Sequence, residues 1–241
     1  MPELPEVETV RRGIEAKVVG RKIISVEVGR ERSVRRVGRE AVIHGLTGVT
    51  ITSARRRGKY LLCDLDSGEE MMIHLRMSGR VLVEPSGTKR PAHTHVVLSL
   101  SERDGVSDEM WFVDPRTFGE VVVFDPADVA HVLPELAALG RDPVVDGLTL
   151  AELRKILRST ARAVKATLLD QHLIAGIGNI YGDEILHRAK VHPRRPARDV
   201  GPAQSARLSR EGLTVAGAAF AATDSMLTPR KKSQTPTAQG R

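Results

Sequence analysis

The chain opens MPELPEVETV, placing Pro2 beside Glu3 just ahead of a helical pattern. Trimming of an initiator Met before a small residue leaves Pro2 with a free secondary amine. An α-amine titrates near about 7.7 to 8.0 against about 10.4 for lysine, so at neutral pH it is unprotonated on the order of a hundred-fold more often. Such an amine attacks an aldehyde carbon and yields a permanently cationic iminium, an electron sink for a later elimination. Glu3 stands close enough to serve there as acid or base. The same residues also make an ordinary Pro/Glu-rich helix start with no chemistry at all.

Three further stretches carry reactive or ligand-binding types. In RRRGKYLLCDL, Lys59 follows a glycine at a strand entry, which aims it into a cleft or leaves it merely exposed. GIGN, ahead of the next helical run, presents free backbone N–H groups and Asn179 as a candidate N-cap, a ready phosphate site or else a tight helix–helix turn. DPRTFGE sets Arg116 and Phe118 two residues apart: a guanidinium and an apolar wedge suited to a gap in a base stack, or a surface Arg and a core Phe. His74, His93 and His95 lack the neighbouring acids or thiols of a metal site. The single cysteine, Cys63, excludes an internal disulfide and any multi-cysteine zinc site within these 241 residues, and its alternating apolar neighbours predict a buried strand thiol.

The elements that must position these groups follow from periodicity. Val7, Val10, Ile14 and Val18 recur at helical spacing after Pro5, and Gly20 closes that helix. Alternation then takes over: Ile24, Val26 and Val28 share a face, as do Leu61, Cys63 and Leu65, and Val96, Leu98 and Leu100. MMIHL, RVLVEP, MWFVD and EVVVFD add short strands between turn segments, so the span to about Asp128 reads as a helix plus an antiparallel two-sheet domain. LPELAALGRDPVVDG reads as a connector. Beyond it the capping box Thr149–Glu152 opens a helix with Leu153, Ile156 and Leu157, a second runs through Val164, Leu168 and Leu169, a third starts at Ile180, and a last spans about Pro202 to Ala222.

A formal charge of +7 points to an acidic partner, nucleic acid first. Arg230, Lys231, Lys232 and Arg241 lie in an acid-free stretch, Thr228–Arg241, leaving +3 for the rest. The remaining cations cluster as Arg55, Arg56, Arg57 and Lys59 and as Arg30, Arg32, Arg35 and Arg36, a nucleic-acid surface or simply a solvated face. No apolar run approaches the roughly 18 residues of a membrane span and no signal-peptide stretch opens the chain, which predicts an intracellular protein.

MPELPEVETVRRG, RRRGKYLL, HLRMSGR, DPRTFGE and LLDQHLIAGIGNIYGDEILHRAKVHP, in this order and over nearly the whole chain to about residue 195, resemble the bacterial formamidopyrimidine-DNA glycosylases. The resemblance implies an α+β fold: an N-terminal helix plus antiparallel two-sheet β-sandwich domain, then an all-helical helix-two-turns-helix domain. The expected division is 1–130 catalytic, 131–148 linker, 149–225 DNA-binding and 226–241 a basic disordered tail. It implies a cytoplasmic, nucleoid-associated, monomeric enzyme whose partner is double-stranded DNA with oxidised bases or abasic sites. By this likeness Pro2 attacks the sugar C1′ of an oxidised purine nucleotide, Glu3 handles protons and Lys59 assists β-elimination. Met77, Arg116 and Phe118 fill the void left by the flipped base, and His93, Arg116, Arg162, Lys165, Asn179 and Tyr181 contact DNA.

The chain departs from the family in three places. Arg76 stands where the family has glycine and Thr94 where it has aspartate. The family's four-cysteine zinc hairpin, which supplies an arginine for δ-elimination, has no counterpart in these 241 residues, so no cofactor is expected within the chain. Two readings stay open: an active glycosylase with AP lyase activity, and a lesion- or DNA-binding paralogue impaired in catalysis.

Overall fold

Leu4–Lys17 forms α1, with Glu3 as N-cap, Pro5 in the first turn and Lys17 in the last. Its apolar stripe buries Val7 and Ile14 against the sheets that follow. The computed structural model describes residues 2–212. Eight strands follow α1: β1 Ile23–Val28, β2 Ile51–Arg57, β3 Tyr60–Leu65, β4 Glu70–His74, β5 Arg80–Pro85, β6 Thr94–Leu100, β7 Asp108–Val113 and β8 Glu120–Phe124. They build two antiparallel sheets, ordered β1-β6-β7-β5 and β2-β3-β4-β8. Helix α2, Arg39–Leu46, packs with them, and the main core lies between the sheets and these two helices.

The second sheet is covered on both faces. Leu61, Cys63 and Leu65 face the main core, while Tyr60 and Leu62 meet Leu133, Leu136 and Leu139 of the connector and Ala175 of the helical part. Two-sided burial explains why YLLC and VVVF are continuous apolar runs rather than alternating ones. Burial also pushes the Cys63 thiol up to about 12, so it remains an inert core group.

The expected face of β1 is corrected at its first residue. Ile23 is wholly buried and Ile24 is 54% exposed, because the register against β6 shifts between Ile23 and Ser25. One extra residue at a bulge exchanges inward and outward positions. Two elements carried only a weak apolar signal. In β2 the inward residues after Ile51 are Ala54 and Arg56, and α2 is only eight residues long.

The connector folds into two short helical turns, α3 Val129–Val132 and α4 Pro134–Ala137, and then a wide turn over Pro143–Gly147. The helical part holds α5 Leu150–Arg158, with the Thr149–Glu152 capping box, α6 Val164–Leu169 and α7 Asn179–Ala189. A further helical stretch runs over residues 202–212. Its expected end at Ala222 and the basic tail from 226 lie outside the described residues.

Several residues of the basic clusters are paired with acids of the protein itself. Arg55 pairs with Asp64 and Glu70, Arg36 with Glu120 and Glu135, and Arg35 with Glu120. Arg56, fully buried, binds Asp142 of the connector and Glu8 of α1, and Asp142 also accepts the Gly58 N–H at 2.9 Å. Arg56→Ala should therefore cost about 3–5 kcal/mol, since it strands a buried carboxylate, and Arg56→Met, which keeps the bulk but not the charge, should cost nearly as much. The shift in urea midpoint measures both, and a loss in Arg56→Met below half of that in Arg56→Ala would refute a dominant role for the charge.

Candidate active site

The loop before α7 meets the start of α1. Gly176 has φ +94°, and a Cβ there would sit 2.5 Å from Leu4 Cδ1; a Cβ on Gly178 would sit 2.3 Å from Glu3 Cδ. Glycine at both positions lets the loop close onto the start of α1. The Glu3 carboxylate, 1% exposed, then accepts N–H bonds from Gly178 at 3.0 Å, Ile180 at 2.8 Å and Tyr181 at 3.2 Å. A buried charge is thereby satisfied by the free donors and positive dipole end of α7. Two expectations change. Gly178, not Asn179, is the N-cap, and the donors expected to bind phosphate are occupied by the protein's own acid.

Glu6 and Gln171 brace this junction. Glu6 accepts the Glu3 N–H at 2.9 Å and the Tyr181 hydroxyl at 3.0 Å. Burial and the Glu6 bond raise the Tyr181 phenol above its ordinary range. Gln171 donates to the carbonyls of Leu169 and Ile177, both at 2.8 Å, and accepts from Gly176 N at 2.9 Å.

Lys59 reaches the same loop from the sheet domain. Gly58, at φ +56°, turns the chain between β2 and β3 close to Ala175. Lys59 is only 8% exposed and donates from Nζ to Ile177 O at 3.1 Å, so it is not a surface lysine. Burial draws its ammonium below the usual lysine range, against an opposing pull from the Glu3 charge. Glu3 and Lys59 thus converge on residues 177–181, with half-buried Pro2 next to Glu3 in the chain.

Met77, Arg116 and Phe118 form a second group. Met77 is 46% and Phe118 40% exposed, and the Arg116 guanidinium carbon lies 5.1 Å from the Phe118 ring centre. Phe118 is therefore not a core residue. Buried Asp114 ties the two loops, accepting the Ser78 hydroxyl, Arg116 N at 3.1 Å and Gly119 N at 2.7 Å.

The remaining candidates are scattered. His93 and Asn179 are exposed. Lys165 pairs with Asp183 at 2.7 Å and Arg162 with Asp170 at 2.8 Å. Thr94 donates to Pro91 O at 2.7 Å. His95 bonds to Asp114 O, and burial with the nearby Arg76 charge lowers His74 to about 3. No group of three or more His, Cys, Asp or Glu suited to a metal occurs among the described residues. Sequence reasoning missed Asp114, Asp142, Gln171 and Glu120; Asp142 and Glu120 meet arginines more than 40 positions away, Asp114 ties in Ser78 from 36 positions away, and Gln171 bonds only backbone groups of its own loop.

Residues 1–121 match the family model for the Formamidopyrimidine-DNA glycosylase N-terminal domain and residues 139–229 that for its H2TH domain. The formamidopyrimidine-DNA glycosylase of Salinispora arenicola is 45% identical over 206 residues, covering 84% of this chain and 70% of that protein. The Pelotomaculum thermopropionicum one is 43% identical over 211 residues, covering 87% and 74%. Among solved structures, the Lactococcus lactis enzyme bound non-covalently to abasic-site DNA superposes with a TM-score of 0.84 at 32% identity, covering 92% of this chain and 83% of that one. A mutant of that enzyme with Fapy-dG-containing DNA gives 0.83 at 33%, covering 91% and 79%. With both family models matched along the chain and relatives above 40% identity, the chain belongs to the formamidopyrimidine-DNA glycosylase family.

Proposed function

We propose that this chain is a base-excision repair glycosylase and AP lyase that removes oxidised purines, 8-oxoguanine and formamidopyrimidines, from double-stranded DNA, with Pro2, Glu3 and Lys59 as its catalytic residues. One observation carries the reading: Glu3 and Lys59, 56 positions apart, meet on the loop at the start of α7, with Pro2 beside them. In the first step the Pro2 nitrogen bonds to C1′, the bond from C1′ to the base breaks, and the base leaves with a proton. Opening of the sugar ring transfers a proton to O4′ and leaves a Pro2 iminium; Glu3 is the acid and base for these transfers. Neutral Lys59 then takes a C2′ proton, the electron pair enters the iminium and the 3′ phosphate departs. Hydrolysis frees Pro2 and an unsaturated aldehyde.

Met77, Arg116 and Phe118 fill the vacated stack, the role that intercalating side chains serve elsewhere. His93, Arg162, Lys165, Asn179 and Tyr181 serve the DNA backbone; Lys165 and Arg162 must exchange Asp183 and Asp170 for phosphate to do so. The division we favour is 1–130 for chemistry, 131–148 as link and a DNA-binding helical part from 149. The reading needs no cofactor within the chain and places it in the cytoplasm, associated with the nucleoid. No described helix is long and apolar enough to cross a membrane.

Borohydride trapping on a duplex with 8-oxoguanine opposite cytosine tests the activity; binding without a covalent band would favour the impaired paralogue. Lys59→Ala should slow strand cleavage about 10²-fold or more and base release less, because a mutation touches the step its residue serves. Burial lowers the Lys59 pKa, so the neutral amine is populated earlier than in an ordinary lysine. Cleavage of abasic DNA should rise with pH and level off below 10.5, and Lys59→Ala should remove that rise. The 3′ end should be mainly the unsaturated aldehyde. Arg76, next to Met77 and the first candidate to drive δ-elimination, is held by Glu120 at 2.8 Å. Gel mobility of the fragment reads the outcome, and a dominant 3′ phosphate at early times would contradict it.

A further inference from the structure

Arg76 holds φ +51°, a backbone setting that glycine adopts freely and a side-chain-bearing residue does not. Its surroundings show what holds it there. The Arg76 N–H donates to His74 Nδ1 at 2.9 Å, and its guanidinium donates to Glu120 Oε1 at 2.8 Å with Glu135 at 3.8 Å. Glu120 is 1% exposed and also receives Arg35 and Arg36. Burial works to raise its carboxyl, but the arginine bonds outweigh it and keep it ionised.

The loop behind Arg76 is equally determined. Gly79 N donates to Leu75 O at 2.9 Å and closes the turn, and a Cβ at Gly79 would stand 2.5 Å from that oxygen. Met77, at the crest, lies between two anchors: Arg76 on Glu120 and Ser78 on Asp114. Asp114 follows β7 and Glu120 opens β8, so the two buried carboxylates bracket the segment that carries Arg116 and Phe118. Each cross-link joins the Met77 loop to the Arg116–Phe118 loop.

We infer that Arg76 and Glu120 are a positioning pair that presets Met77 against Arg116 and Phe118, so that insertion into the base stack depends in this chain on an ion pair. The inference rests on the void-filling reading above. A loop held in its inserting conformation need not be selected from a wider population at each encounter, so losing the pair slows insertion more than it slows the chemistry that follows.

The test is stopped-flow fluorescence of 2-aminopurine placed beside a non-cleavable abasic analogue in duplex DNA, with trapping at a natural abasic site measured in parallel. Arg76→Gly is the informative variant, because glycine accepts φ +51° and only the side chain is lost. Arg76→Gly and Glu120→Gln should each slow the insertion phase about five-fold or more and trapping by a smaller factor, and the double variant should be no slower than either alone. Arg76→Lys should recover part of the rate. A purely architectural role would lower the melting temperature and slow both readouts equally, which overturns the inference, as would insertion by Arg76→Gly at the wild-type rate. If Met77→Ala leaves the fluorescence phase intact, the void-filling reading falls and takes the pair's role with it. Failure of the wild type to trap would instead count against the enzymatic reading.

Discussion

Glu3→Gln should bind lesion DNA and release almost no base. The Glu3 carboxylate is the acid held by the first N–H groups of α7, next to Pro2 in the chain, and removing a positioned general acid–base group typically costs about 10²–10⁴-fold. The amide keeps the shape of the acid. It retains one acceptor oxygen for the N–H groups of Gly178, Ile180 and Tyr181 and turns its NH2 against the others. A loss of folding stability of up to about 2 kcal/mol should accompany the catalytic loss, because a negative charge is removed from a partly buried helix N-terminus. The two effects separate by temperature: the variant remains folded at 25 °C, where single-turnover excision and binding are both measured. Normal turnover by Glu3→Gln would show that protons at the site are handled elsewhere.

Blocking the Pro2 nitrogen should be at least as severe. An iminium cannot form on an acylated or extended amine, so a chain that retains Met1, or carries one added residue, should lose the trapped adduct by about 10³-fold or more, a barrier increase of about 4 kcal/mol. Pro2→Gly should trap weakly, since a primary amine forms an imine that must be protonated before it draws electrons as strongly. Both variants should still bind abasic DNA, because the groups proposed to hold phosphate and to fill the void lie elsewhere. Undiminished trapping by a Met1-retaining chain would move the nucleophile to another residue.

How much of this was legible depends on how local each signal is. Helix α1, strands β3 and β6 and the Thr149–Glu152 box show as apolar periodicity or a four-residue motif, and all stand where the pattern puts them. Strand β2 does not, because its inward positions hold Ala54 and Arg56, and an arginine that is buried only through Asp142 looks like any other in the run 55–57. Lys59 and Glu3 were legible as candidates. Their meeting was not, since it is made by Ile177 O and by backbone N–H groups of α7, more than 100 residues away from either. The GIGN glycines read equally as a phosphate seat or as a tight turn between helices; the structure sets them against Leu4 and Glu3, a closer contact than any side chain at 176 or 178 would allow.

The most direct test of the account is to reduce the complex on abasic duplex with borohydride, digest protein and DNA, and locate the residual sugar by tandem mass spectrometry. The account predicts a single modified peptide whose added mass lies on the nitrogen of an N-terminal Pro2. An adduct on Lys59, or on any other lysine with Pro2 unmodified, would contradict it.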